Sequence, residues 1–169
     1  MLSVTIRPER ISDVAAISEV TRDAFRGDPQ GDHTEHFIIE ALRRSGALAV
    51  SLVAEVEAQV AGHIAFSPVQ ISDGSQGWYG LGPVAVKPEL QGKGIGQALV
   101  QSGLAALREL GARGCVVVGE PEFYGRFGFH NSKHLVFEGV PQEYFLVLPF
   151  GETPAAGQVT YHEAFSAQG

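Results

Sequence analysis

Cysteine occurs once in the 169 residues, at Cys115, so no disulfide can form within the chain and a reducing compartment is expected. Basic residues are also scarce: twelve Lys and Arg stand against nineteen Asp and Glu, a net charge of −7. That deficit excludes a broad nucleic-acid surface, which needs a basic stripe. An anionic ligand must then be held by local geometry, because the overall field opposes it. The acidity suits a cationic amine substrate, though surface acidity more often serves plain solubility. Long apolar runs are missing, which excludes a membrane-spanning helix. The first residues show no basic flank followed by an apolar core, so no signal peptide is expected and the predicted location is cytoplasmic. The histidines at 33, 36, 63, 130, 134 and 162 fall into no metal-binding spacing such as His-Glu-x-x-His, and no metal is expected. Repeats, low-complexity tracts and linkers are absent. With 44% hydrophobic and 18% charged residues, the chain is expected to form one domain, 1–169, with a sizeable core.

One stretch carries chemistry. Gln91-Gly92-Lys93-Gly94-Ile95-Gly96 follows the apolar run Val84-Ala85-Val86 and the breaker Pro88. It leads into helical spacing from Gln97 to Leu110, with Leu99, Gly103, Leu107 and Leu110 on one side. A strand, a glycine-rich turn and a helix start make a cradle for phosphate. The turn exposes backbone N–H groups with no Cβ in the way, and the unpaired N–H groups of a first helical turn attract an anion. Lys87 and Lys93 add local positive charge. Two nucleotide-binding patterns fail on spacing. A Walker loop needs glycine where Lys87 stands and Ser or Thr where Gly94 stands. A dinucleotide fingerprint would place its last glycine on Gln97 or Leu99. The pattern that fits is Gln/Arg-x-x-Gly-x-Gly/Ala, on Gln91, Gly94 and Gly96, although a plain glycine-rich turn can share so short a pattern.

Along the rest of the chain, Val4 to Arg7 reads as a strand stopped by Pro8. A helix starts at Ser12-Asp13, with Val14, Ile17, Val20, Ala24 and Phe25 on one face. A loop from Gly27 to Asp32 precedes a second helix, Thr34 to Arg44, with Phe37, Ile38, Ala41 and Leu42 as its stripe and Gly46 as its stop. Ala49 to Val56 and Val60 to Val69 form a hairpin about Glu57-Ala58, and a strand runs from about Trp78 to Val86. Cys115 to Val118 is a buried strand, Glu122 to Arg126 a short helix, and Leu135 to Glu138, Glu143 to Leu148 and Val159 to Tyr161 are late strands.

The glycine pattern resembles the pyrophosphate loop of the GCN5-related N-acetyltransferases (GNAT superfamily). A second landmark, Tyr124-Gly125-Arg126-Phe127-Gly128-Phe129, resembles that family's late Tyr-x-x-x-Gly-Phe element. The resemblance runs from Val4 to about Phe150, leaving 151–169 as a C-terminal extension. Within the superfamily, the stretches Leu81 to Val86 and Gly119 to Tyr124 resemble the YhbS-like branch of predicted N-acetyltransferases. It implies an α/β (α+β) fold whose central mixed, mostly antiparallel sheet is flanked by helices. The expected order of strands and helices does not alternate as a Rossmann fold would. The resemblance further implies that the strands carrying Val84 to Val86 and Cys115 to Val118 splay apart, with the pantetheine arm of acetyl-coenzyme A in the gap. Gln91, Gly92, Lys93, Gly94, Ile95, Gly96 and Gln97 would hold the pyrophosphate, and Val84, Ala85 and Val86 would pair with the pantetheine amides as an added strand does. The implied reaction is direct acetyl transfer to an amine: a small metabolite, a peptide N-terminus or a lysine. Late strands in this superfamily often pair across subunits, so a homodimer fits the resemblance.

By the same resemblance Tyr124 is the general acid for the departing thiolate, a role open to a phenol because an ordinary pKa of ~10 keeps it protonated. The residues alone favour a tyrosine packed among Phe123, Phe127 and Phe129, and it is the motif that brings the acid role forward. The general base is less determined. The family's glutamate before the glycine loop corresponds to Gly80, so it does not carry over. Glu120 and His63 are substitutes by chemistry, each with a structural alternative: a capping carboxylate and a packed strand histidine. A water chain without a dedicated base serves the same chemistry. Cys115 reads as a small buried apolar residue rather than a nucleophile. Asp28, Asp32 and Glu35 stand where the family's acceptor is usually bordered, and are ordinary loop and helix-start acids otherwise. The absence of a base at Gly80 leaves a second functional class in view, a non-catalytic acyl-coenzyme A sensor or regulatory module.

Overall fold

The computed structural model describes residues 2–28, 33–152 and 155–168, so the expected loop residues Pro29, Gln30, Gly31 and Asp32 lie outside it. Strand β1 (Val4–Pro8) pairs antiparallel with β2 (Val50–Val56), which turns back into β3 (Gln59–Pro68). The turn is formed by Glu57 and Ala58, at φ of 52° and 64°, the left-handed pair whose twist suits a two-residue hairpin. Next to β3 lies β5 (Trp78–Val86), antiparallel; β6 (Gly114–Val118) runs parallel to β5, and β8 (Phe145–Pro149) antiparallel to β6. The sheet β1-β2-β3-β5-β6-β8 is therefore mixed and mostly antiparallel. A smaller sheet joins β4 (Gln70–Ile71), β9 (Gly157–Thr160) and β7 (Leu135–Val136).

Alternation along β2 sends Val53 to one face of the sheet and Leu52 and Ala54 to the other. On the Val53 face lie α1 (Val14–Phe25) and α2 (Glu35–Ser45), which bring Ile17 and Ile39 into the same cluster. On the other lies α3 (Ile95–Glu109), whose Leu99, Val100, Leu104 and Leu107 are buried with Phe66, Leu81, Cys115 and Val117. Gly103 lets α3 press onto Phe66: a Cβ there would sit inside van der Waals contact of the ring. Gly103→Ala gains up to ~1 kcal/mol of helix propensity, yet overpacking costs about 1–3 kcal/mol. We expect a net loss of stability, read as a lower urea midpoint; a raised midpoint would show that Phe66 turns aside freely.

Several boundaries differ from expectation for local reasons. Helix α3 begins at Ile95 rather than Gln97, because Gly94, at φ 89°, already serves as its N-cap. Leu110, expected on the apolar face, is exposed because it follows the end of the helix. In α2 the buried residues are Ile38, Ile39 and Leu42, with Phe37 and Ala41 only partly covered. Strand β8 starts at Phe145, since Gln142–Tyr144 forms a 3-10 turn after Pro141.

The splay is visible in the register. Strands β5 and β6 pair only at Trp78↔Gly114, Tyr79↔Cys115 and Gly80↔Val116. Beyond that point β5 stays with β3 through Val84↔Ile64 and Val86↔Gly62, while β6 stays with β8 through Val118↔Phe145. Opposite Ala65, β5 inserts both Gly82 and Pro83, a bulge made feasible by Gly82 at φ 132°. A bulge bends and twists its strand, which turns β5 away from β6. Short α4 (Pro121–Gly125) follows β6 beside the opening.

Candidate active site

Two cavities flank the splayed part of β5. The first, about 370 Å³, is bounded by the glycine loop and the start of α3. Gly92 and Gly94 have φ of 77° and 89°, and Gln91 ties the loop down by donating from Nε2 to the Val86 carbonyl at 3.0 Å. The first N–H bond of α3 runs from Ala98 to the Gly94 carbonyl at 3.0 Å. The preceding N–H groups of the helix start have no intrahelical partner, so they are available to an anion. Gln91, Gly92, Gly94, Ile95, Gly96 and Gln97 all border this cavity; the exposed Lys93 does not. Its cation is instead Arg126, which donates to Gln97 Oε1 at 3.1 Å and lies 4.9 Å over the Phe123 ring.

The second cavity, a chamber of about 450 Å³, lies where the strands part. Strand β5 and α4 border both spaces: Val86, Phe123 and Arg126 line the first, Val84 and Tyr124 the second. Ala85, between the two valines, is buried and pairs with His63 on β3. Tyr124 is 7% exposed and packs edge-on against Phe123 at 4.9 Å and Phe129 at 5.8 Å. Gly119 makes room for its ring, since a Cβ there would collide with it. Its hydroxyl has no hydrogen-bond partner among the described residues, yet it is not among the atoms sealed from solvent, so it opens to the chamber. Burial, reinforced by Cys115, pushes the phenol up to about 12, and it stays protonated at neutral pH.

The other expected groups lie apart from this chamber. His63 is fully buried under α1 and α2, where Nε2 meets Ser51 Oγ at 2.7 Å. Ser51 donates its proton to Glu9, which also accepts two bonds from Arg43 at 2.9 Å. Nε2 must therefore carry a hydrogen, and Nδ1 is a bare acceptor with no partner. Burial holds this imidazole down at about 4. His63 borders neither cavity, so it faces no acceptor at the chamber. Glu120 is exposed at the start of α4 and borders neither cavity. Cys115 is sealed in the core and burial pushes its thiol upward, away from the nucleophilic thiolate. Of the acids near the acceptor side, Glu35 lines the chamber, Asp28 does not, and Asp32 lies outside the described residues.

The residue that sequence reasoning missed is Tyr161. Its ring fills the space over Gly80, where a Cβ would come within 2.6 Å of Cε2. It touches Phe137 at 4.9 Å and Phe165 at 5.0 Å, and all three rings line the chamber. Tyr161 packs with Trp78 and Val116 on one face of the sheet, whereas Tyr124 packs with Cys115 and Val117 on the other. The chamber thus passes through the sheet at the splay. Among the described residues no cluster of His, Cys, Asp or Glu is placed to hold a metal, and no helix is long and apolar enough to cross a membrane.

The family model for the Acetyltransferase (GNAT) family matches residues 14–129. The chain is 36% identical over 130 residues to the uncharacterized N-acetyltransferase YhbS of Escherichia coli (strain K12), covering 76% of this chain and 75% of that protein. The crystal structure of E. coli YhbS in complex with CoA matches with a TM-score of 0.90 at 32% identity, covering 100% of this chain and 95% of that one. A GNAT family acetyltransferase from Brucella melitensis in complex with acetyl-CoA matches with a TM-score of 0.85 at 48% identity, over 96% of this chain and 98% of that one.

Proposed function

Because the chain belongs to the GNAT family of acetyltransferases, it is an acetyl-CoA-dependent N-acetyltransferase, and we propose that the chamber beside Tyr124 is where the acetyl group passes to an amine. The observation that carries this reading is the continuity of β5 and α4 from the glycine loop to the chamber. One ligand bound along them has its anionic end on the loop and its reactive end at Tyr124. The backbone donors of Gly92 to Gln97, with Arg126, hold the pyrophosphate; the positive end of α3 adds up to ~2 kcal/mol in a partly buried setting. The open edge of β5 from Val84 to Val86 offers backbone groups to the pantetheine amides. Tyr124 donates its proton to the departing thiolate. Glu120 and His63 contribute no base, and the amine loses its proton to water in the chamber. The chain acts as one domain, its unpaired Cys115 suited to a reducing cytoplasm.

Calorimetry with acetyl-CoA and a thiol-release assay across a broad set of amines test the reading. We expect saturable binding and amine-dependent thiol release. Binding without release from any amine would make the chain a coenzyme sensor instead.

A further inference from the structure

We propose that the acceptor is a primary amine carried on an apolar body, aromatic or branched, with no second charge. This rests on the acetyl-transfer reading and names the substrate class of that same chamber. The acceptor end is walled by Phe25, Ile38, Phe137, Val140 and Phe165, from separate parts of the chain. Tyr161 adds a ring rather than a charge, its hydroxyl being sealed from solvent and its ring packed on Phe137 and Phe165. Among the described residues, the only charged side chain in the lining is Glu35, and it is held in no salt bridge with them. It can meet an ammonium group on entry, although Arg22 and Arg26 share a smaller adjoining cavity with it. Among the described residues no Lys, Arg or His lines the chamber. A free amino acid would bring a carboxylate with no cation to pair it, and a polyamine would bury a second ammonium against rings. Both are costly in a low-dielectric site. An apolar body instead gains by leaving water for these walls.

The test compares thiol-release kcat/KM for 2-phenylethylamine and isoamylamine with that for spermidine, putrescine, free lysine and a lysine-bearing peptide. We expect the apolar amines to lead by at least about tenfold, the worth of burying one or two methylene groups. Val140→Asp should lower kcat/KM for 2-phenylethylamine and raise it for putrescine, with acetyl-CoA affinity unchanged. Thermal unfolding confirms that the variant is folded. Should it fail to fold, Glu35→Gln gives the second reading: a higher KM for 2-phenylethylamine with kcat retained. A lead for spermidine or the lysine peptide would overturn the proposal while leaving acetyl transfer intact. Thiol release from no amine, with acetyl-CoA bound, would overturn both.

Discussion

Tyr124→Phe is expected to lower kcat for acetyl transfer by about 10²–10⁴-fold, the range for loss of a positioned general acid, with little change in acetyl-CoA affinity. The ring is held by Phe123, Phe129 and the clearance at Gly119, none of which depends on the hydroxyl. Phe keeps that packing, so the chamber keeps its shape. What disappears is the one tyrosine hydroxyl at the chamber that burial does not seal off from solvent. Because the phenol is held up at about 12, it is a competent donor throughout the pH range in which the protein is handled. Wild-type activity should therefore show no alkaline loss from this group below about pH 10. Steady-state thiol release and calorimetry separate the two effects. An unchanged kcat would remove the acid role from Tyr124.

A second large effect concerns stability and arises at His63. In the unfolded chain the imidazole titrates near ~6.5. In the folded protein it titrates at about 4, chiefly through burial. Between those values the unfolded state takes up a proton that the folded state refuses. Stability is therefore full above about pH 6.5 and falls as pH drops towards 4. The gap corresponds to about 3 kcal/mol, a large share of a typical domain's margin. Glu9, where burial raises the carboxyl but hydrogen bonds from Arg43 and Ser51 outweigh it and hold it below its usual range, adds a loss of the same sign at lower pH. His63→Gln keeps a donor for Ser51 and abolishes the titration. Urea unfolding of the two proteins from pH 7.5 to 4.5 should show a steep loss for the wild type and a shallow one for the variant. Parallel curves would mean that His63 takes its proton without unfolding.

The contrast between Tyr124 and His63 shows how far the sequence could be read. The donor side was legible because it is local: Gln91, Gly94 and Gly96 act through the backbone of one turn, and their spacing carries the whole signal. Helices and long strands were legible from periodicity for the same reason. His63 could not be placed, because strand alternation says that a residue points to one face without saying what covers that face. The acceptor side is assembled from Phe25, Ile38, Phe137, Tyr161 and Phe165, each an ordinary core residue in its own segment. Strand β4 has two residues, below the length at which alternation can show, and the strand expected from Leu135 to Glu138 is shortened to the two residues of β7. Arg126 stood inside the Tyr-Gly-Arg-Phe-Gly-Phe stretch, but only the turn of α4 swings it back over Gln97.

The contact between Tyr161 and Gly80 bears on how such a protein can diversify. The core up to about Phe150 carries the loop, the splay and Tyr124, whereas Tyr161 and Phe165 belong to the segment beyond it. The tail thus plugs a vacancy left by a glycine in the central sheet. Part of the acceptor lining is consequently carried on a different stretch of chain from the donor machinery. Drift in the last residues can retune what is acetylated while the coenzyme's seat stays as it was.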